Sequence, residues 1–401
     1  MKNIRKITND LYYLGATKRS EFLFENLYPV NNSASYNSYL LNDDKTVLFD
    51  TVEEGSSLSF FENLDASLNG KDLDYLVVQH IEPDHSALIK EVLMRYSTSK
   101  IVCNAKTKQM IYQFFEFAND IEERFHIVKE GDILETGHHK LTFVMAPMVH
   151  WPEVMVTYDL EDKILFSADA FGSFGALNLN LFDDEVEFDK LIDEYRRYYT
   201  NIVGKYGQQV CALLNKASNL EIKMICPLHG LILRKNISKM VELYLKWASY
   251  TPEKKSLLVV YSSVYGNTRK VAEYIGSKIA DKGVSDVKIY DASSVHFSYL
   301  ISEAFKYSHI LLASSTHNNN IFSSMEFFVS ELVKHNLQNR KFIVVENGSW
   351  VPACGNLIKN ELEKLKGSEF IENGFKIKSA YKSSQEEQLN DLIDKIFEDL
   401  K

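Results

Sequence analysis

Val77-Val78-Gln79-His80-Ile81-Glu82-Pro83-Asp84-His85 follows an apolar run over 73–78 and precedes an amphipathic run over 86–96. The spacing predicts a loop between a strand and a helix. Proline disfavours helical backbone at the residue before it, which keeps Glu82 extended and starts the helix at Asp84 or His85. Four side chains that bind metals through nitrogen or oxygen, His80, Glu82, Asp84 and His85, fall within six residues. Alternate residues of an extended segment point the same way, so His80, Glu82 and Asp84 are expected to converge on one spot.

Three further stretches repeat the pattern. Ala146-Pro147-Met148-Val149-His150-Trp151-Pro152-Glu153 ends one apolar run, Ile164-Leu165-Phe166-Ser167-Ala168-Asp169 a second, and Met224-Ile225-Cys226-Pro227-Leu228-His229 a third. A single His or Asp after a strand is ordinarily a cap or a satisfied polar group. Four such placements, at the strand ends where layered α/β folds gather their chemistry, point to a metal centre. The candidate ligands are His80, Glu82, Asp84, His150, Asp169 and His229, with His85 beside them. No thiolate stands at ligand spacing, which excludes a structural Cys zinc site. Three carboxylates form a hard, anionic set suited to iron or manganese. Two divalent ions would be neutralised by these three carboxylates and one bridging hydroxide, with Asp169 the expected bridge.

The remaining pattern divides the chain in two. At 401 residues two domains are expected, with the boundary in the polar stretch Ser249-Tyr250-Thr251-Pro252-Glu253, giving domains 1–250 and 251–401. In the first, strands are predicted over 11–14, 36–41 and 46–51, with a turn at Asn31-Asn32-Ser33. A helix over 58–68 should bury Leu58, Phe61, Leu64 and Leu68, and another over 188–202 carries Tyr195, Tyr198 and Tyr199. In the second, strands at 256–261, 287–290, 309–313, 341–345 and 369–377 alternate with helices at 268–280, 303–306, 324–335, 356–365 and from 385 onward. That is a doubly wound parallel sheet.

The first strand of this second half runs into Ser263-Val264-Tyr265-Gly266-Asn267-Thr268. A hydroxyl- and glycine-bearing loop opening a helix offers N–H groups to a phosphate. Neither GxxxxGK[ST] nor GxGxxG is present, which argues against an ATP, GTP or dinucleotide loop.

Charge and cysteine content narrow the setting. The formal net charge of −10 argues against nucleic-acid binding. Four dispersed cysteines with no CxxC pair argue against a disulfide framework and for a reducing, cytoplasmic setting. No apolar run approaches the ~18 residues of a membrane span.

The His80–His85 motif resembles the metallo-β-lactamase signature H-x-H-x-D-H, with Glu82 in the place of its second histidine. That departure, with 146–152, 166–172 and Tyr36-Asn37-Ser38-Tyr39, resembles the flavodiiron proteins (A-type flavoproteins). The resemblance implies an N-terminal metallo-β-lactamase-like αβ/βα sandwich and a C-terminal flavodoxin-like domain. It assigns His80, Glu82 and His150 to one iron and Asp84 and His229 to the other, with Asp169 between. The loop 263–268 resembles a flavodoxin phosphate loop, placing Ser263, Tyr265, Gly266, Asn267 and Thr268 on the phosphate of FMN. Ser315, Thr316, His317, Asn318 and Asn319, with Asn347, Gly348, Ser349 and Trp350, would hold the flavin ring.

The implied activity is FMN- and diiron-dependent reduction of O2 to water, with NO reduction to N2O as the alternative. A dinuclear hydrolase of the same fold is the rival, opposed by Glu82 and the flavodoxin-like half. The resemblance also implies a head-to-tail homodimer and, with no Cys pairs toward Lys401, a separate rubredoxin as electron donor.

Overall fold

Thr46-Val47-Leu48-Phe49 forms a strand whose four residues are all buried, the mark of a strand covered on both faces. It sits fourth in a seven-stranded sheet of order Arg5–Lys6, Leu11–Tyr13, Tyr39–Asn42, Thr46–Phe49, Tyr75–Val77, Lys100–Cys103 and Phe125–Ile127. Pairing is antiparallel on its N-terminal side and parallel from Thr46–Phe49 onward. A five-stranded sheet runs Ile133–Glu135, Lys140–Met145, Met155–Asp159, Ile164–Phe166, Met224–Cys226. The two sheets meet where Phe49 stacks on Phe166, ring centroids 3.8 Å apart, with Tyr39 edge-on to Phe166 at 5.7 Å. This computed structural model describes residues 4–30, 34–175, 177, 179–372 and 374–401; the turn at Asn31-Asn32-Ser33 lies outside them.

The chain divides into two compact units, Met1–Tyr199 with Gln208–Leu245, and Thr200–Gly207 with Lys246–Lys401. In the second, the strand order is Lys288–Asp291, Lys254–Ser262, Tyr307–His317, Lys341–Asn347, Glu369–Phe370, parallel throughout. In chain order this is 2-1-3-4-5, a doubly wound arrangement that opens a crevice at the C-terminal ends of its strands. Helices Asn267–Asp281 and Glu386–Leu400 cover one face, where Val271, Ile275, Leu392 and Ile396 pack on Leu257, Val259 and Leu311.

Several elements depart from expectation. The helix after Glu82 opens at Pro83, not Asp84 or His85, because proline suits the first helical position, where no N–H is needed. Helix Ser57–Leu68 buries Phe60, Phe61, Leu64 and Leu68, whereas Leu58, in its first turn, is 76% exposed. The segment expected as one helix over 188–202 is a 3₁₀ turn Phe188–Leu191, an α-helix Ile192–Tyr198 and a widened π turn Tyr199–Val203. The helix expected over 303–306 runs Phe297–Lys306. The strand over 369–377 is two, Glu369–Phe370 and Phe375–Ile377. Gly374 separates them at φ 84°, where a Cβ would come within 2.2 Å of the Val344 carbonyl oxygen.

One buried ion cluster ties the first sheet to the second. His139 Nδ1 lies 2.7 Å from Asp159 Oδ2 and its Nε2 3.0 Å from Asp10 Oδ2. Asp162 is also within ligand reach, the His138 ring stands 5.0 Å away, and Asp43 accepts the His139 backbone N–H. With a carboxylate on each nitrogen, the ring is held as an imidazolium. Burial lowers its pKa, but the hydrogen bonds to Asp159 and Asp10 outweigh this and raise it to about 9. A pKa raised above the unfolded value of about 6.5 stabilises fully below that value and is lost as pH rises toward 9. The unfolding free energy of the wild type, read from urea titrations, should therefore fall between pH 6.5 and 9, by roughly 2–3 kcal/mol in total. His139→Gln should remove that slope; an unchanged slope would refute the assignment.

Candidate metal centre and nucleotide site

All four chemistry-bearing loops leave strand ends: His80 after Tyr75–Val77, His150 after Lys140–Met145, Asp169 after Ile164–Phe166, His229 after Met224–Cys226. Buried Asp50 fixes the first of them, accepting Gln79 N at 2.8 Å and Gln79 Nε2 at 2.9 Å. Burial outweighs these bonds and pushes its carboxyl up to about 6. Asn37 fixes the last, donating from Nδ2 to the carbonyls of Pro227 (2.8 Å) and Gly230 (2.9 Å).

The side chains assemble as two adjoining groups. Glu82 Oε2 lies 3.1 Å from both His80 Nε2 and His150 Nε2. Asp169 Oδ2 lies 3.1 Å from His150 Nε2 and 3.3 Å from His80 Nε2. In the second group His229 Nε2 is 2.9 Å from His85 Nε2 and 3.3 Å from Asp84 Oδ2. Asp169 Oδ1 lies 3.4 Å from His85 Nε2 and 3.6 Å from His229 Nε2. One carboxylate thus faces both groups, with a different oxygen toward each.

Simple alternation put His80, Glu82 and Asp84 on one spot. His80 and Glu82 do share one, but Asp84 turns to the other because the helix beginning at Pro83 breaks the period of two. His85, set beside the ligands in the sequence, stands within the second group.

The donor set suits cations. Burial raises the Asp169 carboxyl, but the imidazoles of His150, His80 and His85 around it hold it well below the carboxylate range. Burial likewise raises Glu82, and His150 and His80 bring it down. The same contacts lift His150 to about 9 against its burial. Asp84 Oδ1 and Asp169 Oδ1 are buried without a hydrogen-bond partner. Buried oxygens left bare, beside nitrogens that share the same carboxylates, are what two divalent ions would satisfy.

Of the groups nearby, the sequence marked Tyr198, with Tyr195 and Tyr199, whereas Glu25 and Trp151 carried no signal. Tyr198 packs its ring 5.5 Å from that of His229, in space kept open by Gly172, where a Cβ would lie 2.8 Å from the Tyr198 ring. Its hydroxyl is buried without a hydrogen-bond partner. Glu25, exposed in the turn between Phe22–Phe24 and Tyr28–Val30, is raised to about 7 by partial desolvation and by the charges of Glu82, Asp84 and Asp169. Trp151 stands edge-on to His80 at 5.2 Å.

In the second unit, three loops meet at the ends of the central strands. Thr268 Oγ1 is 2.8 Å from Ser315 Oγ and accepts Asn347 Nδ2 at 3.2 Å, while Asn347 Oδ1 is buried without a partner. Ser263, Tyr265, Asn267, Thr316, Gly348 and Ser349 also line a cleft of about 150 Å³, with Ser379, which the sequence did not mark. Gly266 precedes helix Asn267–Asp281 at φ 89°, a conformation glycine adopts freely. His317, Asn318 and Asn319 form a tight hairpin beyond Thr316, His317 pairing Asn320 with positive φ at both asparagines. Tyr265 and Trp350 are 93% and 90% exposed, flat surfaces open to a ring. A bare amide oxygen, converging hydroxyls and a helix N-terminus fit a phosphate-bearing flavin.

Residues 34–230 match the model of the ODP family beta lactamase, and residues 258–350 that of a flavodoxin domain. An anaerobic nitric oxide reductase flavorubredoxin of Pectobacterium carotovorum is 35% identical over 341 residues, 84% of this chain and 66% of that protein. The chain thus spans just under two thirds of that relative's length. One from Escherichia coli is 33% identical, covering 84% of this chain and 70% of its own. The rubredoxin oxygen:oxidoreductase of Desulfovibrio gigas superposes with a TM-score of 0.92 at 26% identity, over 99% of this chain and 98% of that one.

The chain belongs to the flavodiiron family. In this flavodiiron protein the flavodoxin domain implies FMN, and family membership implies a pair of irons at the His/Asp/Glu groups. No helix among the described residues is long and apolar enough to cross a membrane.

Proposed function

We propose that this protein is an FMN- and diiron-dependent oxidoreductase that reduces O2 to water with electrons from a rubredoxin-type donor. It would act in the cytoplasm as a head-to-tail homodimer, its domains dividing at 250/251. The observation that carries the reading is Asp169, which turns one oxygen to His80 and His150 and the other to His85 and His229. One iron falls to His80, Glu82 and His150, and the other to Asp84 and His229 with His85 against them. FMN falls to the loops of Ser263–Thr268, Ser315–Asn319 and Asn347–Trp350. Loaded irons and flavin supply electrons and an open position for a small gas.

The chain's own residues supply the rest. The buried histidines and carboxylates hold the charge of the pair, and the sheets around them exclude water. Tyr198 offers a buried phenol whose ring borders His229 and whose hydroxyl has no hydrogen-bond partner, a donor for a small gas held beside it. Tyr198→Phe should slow turnover about tenfold, the worth of one such hydrogen bond, with iron and FMN contents unchanged. Wild-type turnover in that variant would return Tyr198 to a packing role.

NO reduction is the second reading, supported by the names of the relatives at 33% and 35% identity. A hydrolase finds no support in either half. The deciding experiment is anaerobic reduction through rubredoxin followed by separate O2 and NO consumption assays. Consumption of neither gas by protein holding two irons and one FMN would refute the proposal.

A further inference from the structure

We infer that Glu153 is the positioning residue for His80, and that its charge makes the iron held by His80, Glu82 and His150 the more electron-rich of the two. The inference rests on the diiron reading above. His80 is wholly buried, and its Nδ1 lies 2.8 Å from Glu153 Oε1. The same oxygen accepts the Ile81 backbone N–H at 3.1 Å, so ring and backbone are gripped together. Glu153 is 1% exposed, and its Oε2 has no hydrogen-bond partner. Its own backbone is pinned, the carbonyl accepting Asn104 Nδ2 at 2.6 Å. His80 Nδ1 must therefore carry a proton and donate it, so that with a metal in place the Nε2 lone pair would be free for the ion beside Glu82 and Asp169.

The second group is built differently. His229 Nδ1 donates to the backbone carbonyl of Ser35 at 2.7 Å, a neutral acceptor. A carboxylate draws the Nδ1 proton more strongly than a carbonyl does, and passes more electron density to Nε2. His80 is then the stronger donor, and the two irons differ in how readily they accept an electron. His85 adds to the inequality, because its Nδ1 is buried without any partner.

Glu153→Gln isolates the charge, since the amide oxygen can still accept the Nδ1 proton. In the holoprotein, an EPR-monitored redox titration should show the potential of one iron step shifting upward and the gap between the two steps changing, with two irons still bound. Glu153→Ala, which removes the acceptor, should weaken iron binding by about 10- to 100-fold in competition with a chelator. Both potentials staying at wild-type values in Glu153→Gln would overturn the inference, even if its melting temperature fell, because a purely structural grip on Ile81 moves only the latter.

Should the variant fail to fold, zinc-loaded wild-type protein labelled with ¹⁵N histidine decides. His80 Nδ1 should be protonated and resonate nearer the imidazolate position than His229 Nδ1. Equal shifts, or an unprotonated His80 Nδ1, would overturn it. Wild-type protein that takes up no iron while showing the expected zinc-loaded spectrum would sink the diiron reading and leave the role of Glu153 standing.

Discussion

Asp169→Asn should strip the protein of most of its iron and lower kcat/KM for the gas by about a thousandfold or more. An amide offers one oxygen, and its NH2 would face imidazole nitrogens now 3.1 to 3.6 Å from the carboxylate. Neither group of ligands would then be complete, and the pair would lose the single anion facing both. Losing metal-based charge stabilisation worth several kcal/mol translates into about a thousandfold or more. FMN content and far-ultraviolet circular dichroism should stay unchanged, because the affected contacts all lie within the metal-binding unit. Iron quantified per chain is the direct check, and retention of two irons would contradict the role given to Asp169.

Thr268→Val is expected to raise the Kd for FMN about 10- to 100-fold while leaving the iron in place. The two side chains have nearly the same shape, so the change deletes one hydroxyl and little else. That hydroxyl is buried, meets Ser315 Oγ at 2.8 Å and receives Asn347 Nδ2 at 3.2 Å. Its removal unties two loops of the cleft and takes a donor from the phosphate, a hydrogen bond to a charged group worth about 1.5–3 kcal/mol. Flavin fluorescence recovered on dilution measures the loss. Unchanged retention of flavin would mean that Thr268 serves only to tie the loops together.

Much of this was legible because strand ends announce themselves. An apolar run stopping at His80, His150, Asp169 or His229 is a local pattern, and the fold gathers all four. The alternation of strands and helices beyond residue 254 was equally plain, and helix Asn267–Asp281 lies within a residue of its expected limits. What stayed hidden depends on contacts between distant residues. Glu153 reaches back 73 positions to His80, and Asp10 and Asp159 meet on His139. Hydrophobic spacing reports which face of an element is inside, not which partner a buried polar atom finds. Leu58 shows the reverse error, a residue with the right spacing left in solvent because it lies in the first turn of its helix.

The break at Pro83 has a mechanical consequence. Two residues before it, extended, serve one ligand group, and two after it, helical, serve the other. The distance between the groups on this side is therefore dictated by six consecutively bonded residues, as in a yoke joining two animals. Thermal breathing of the sheets can loosen the opposing His150 and His229 without altering that span. Lengthening the yoke by a single inserted residue would throw Asp84 and His85 out of step with His80 and Glu82, whereas an insertion in a loop elsewhere would leave the span as it is.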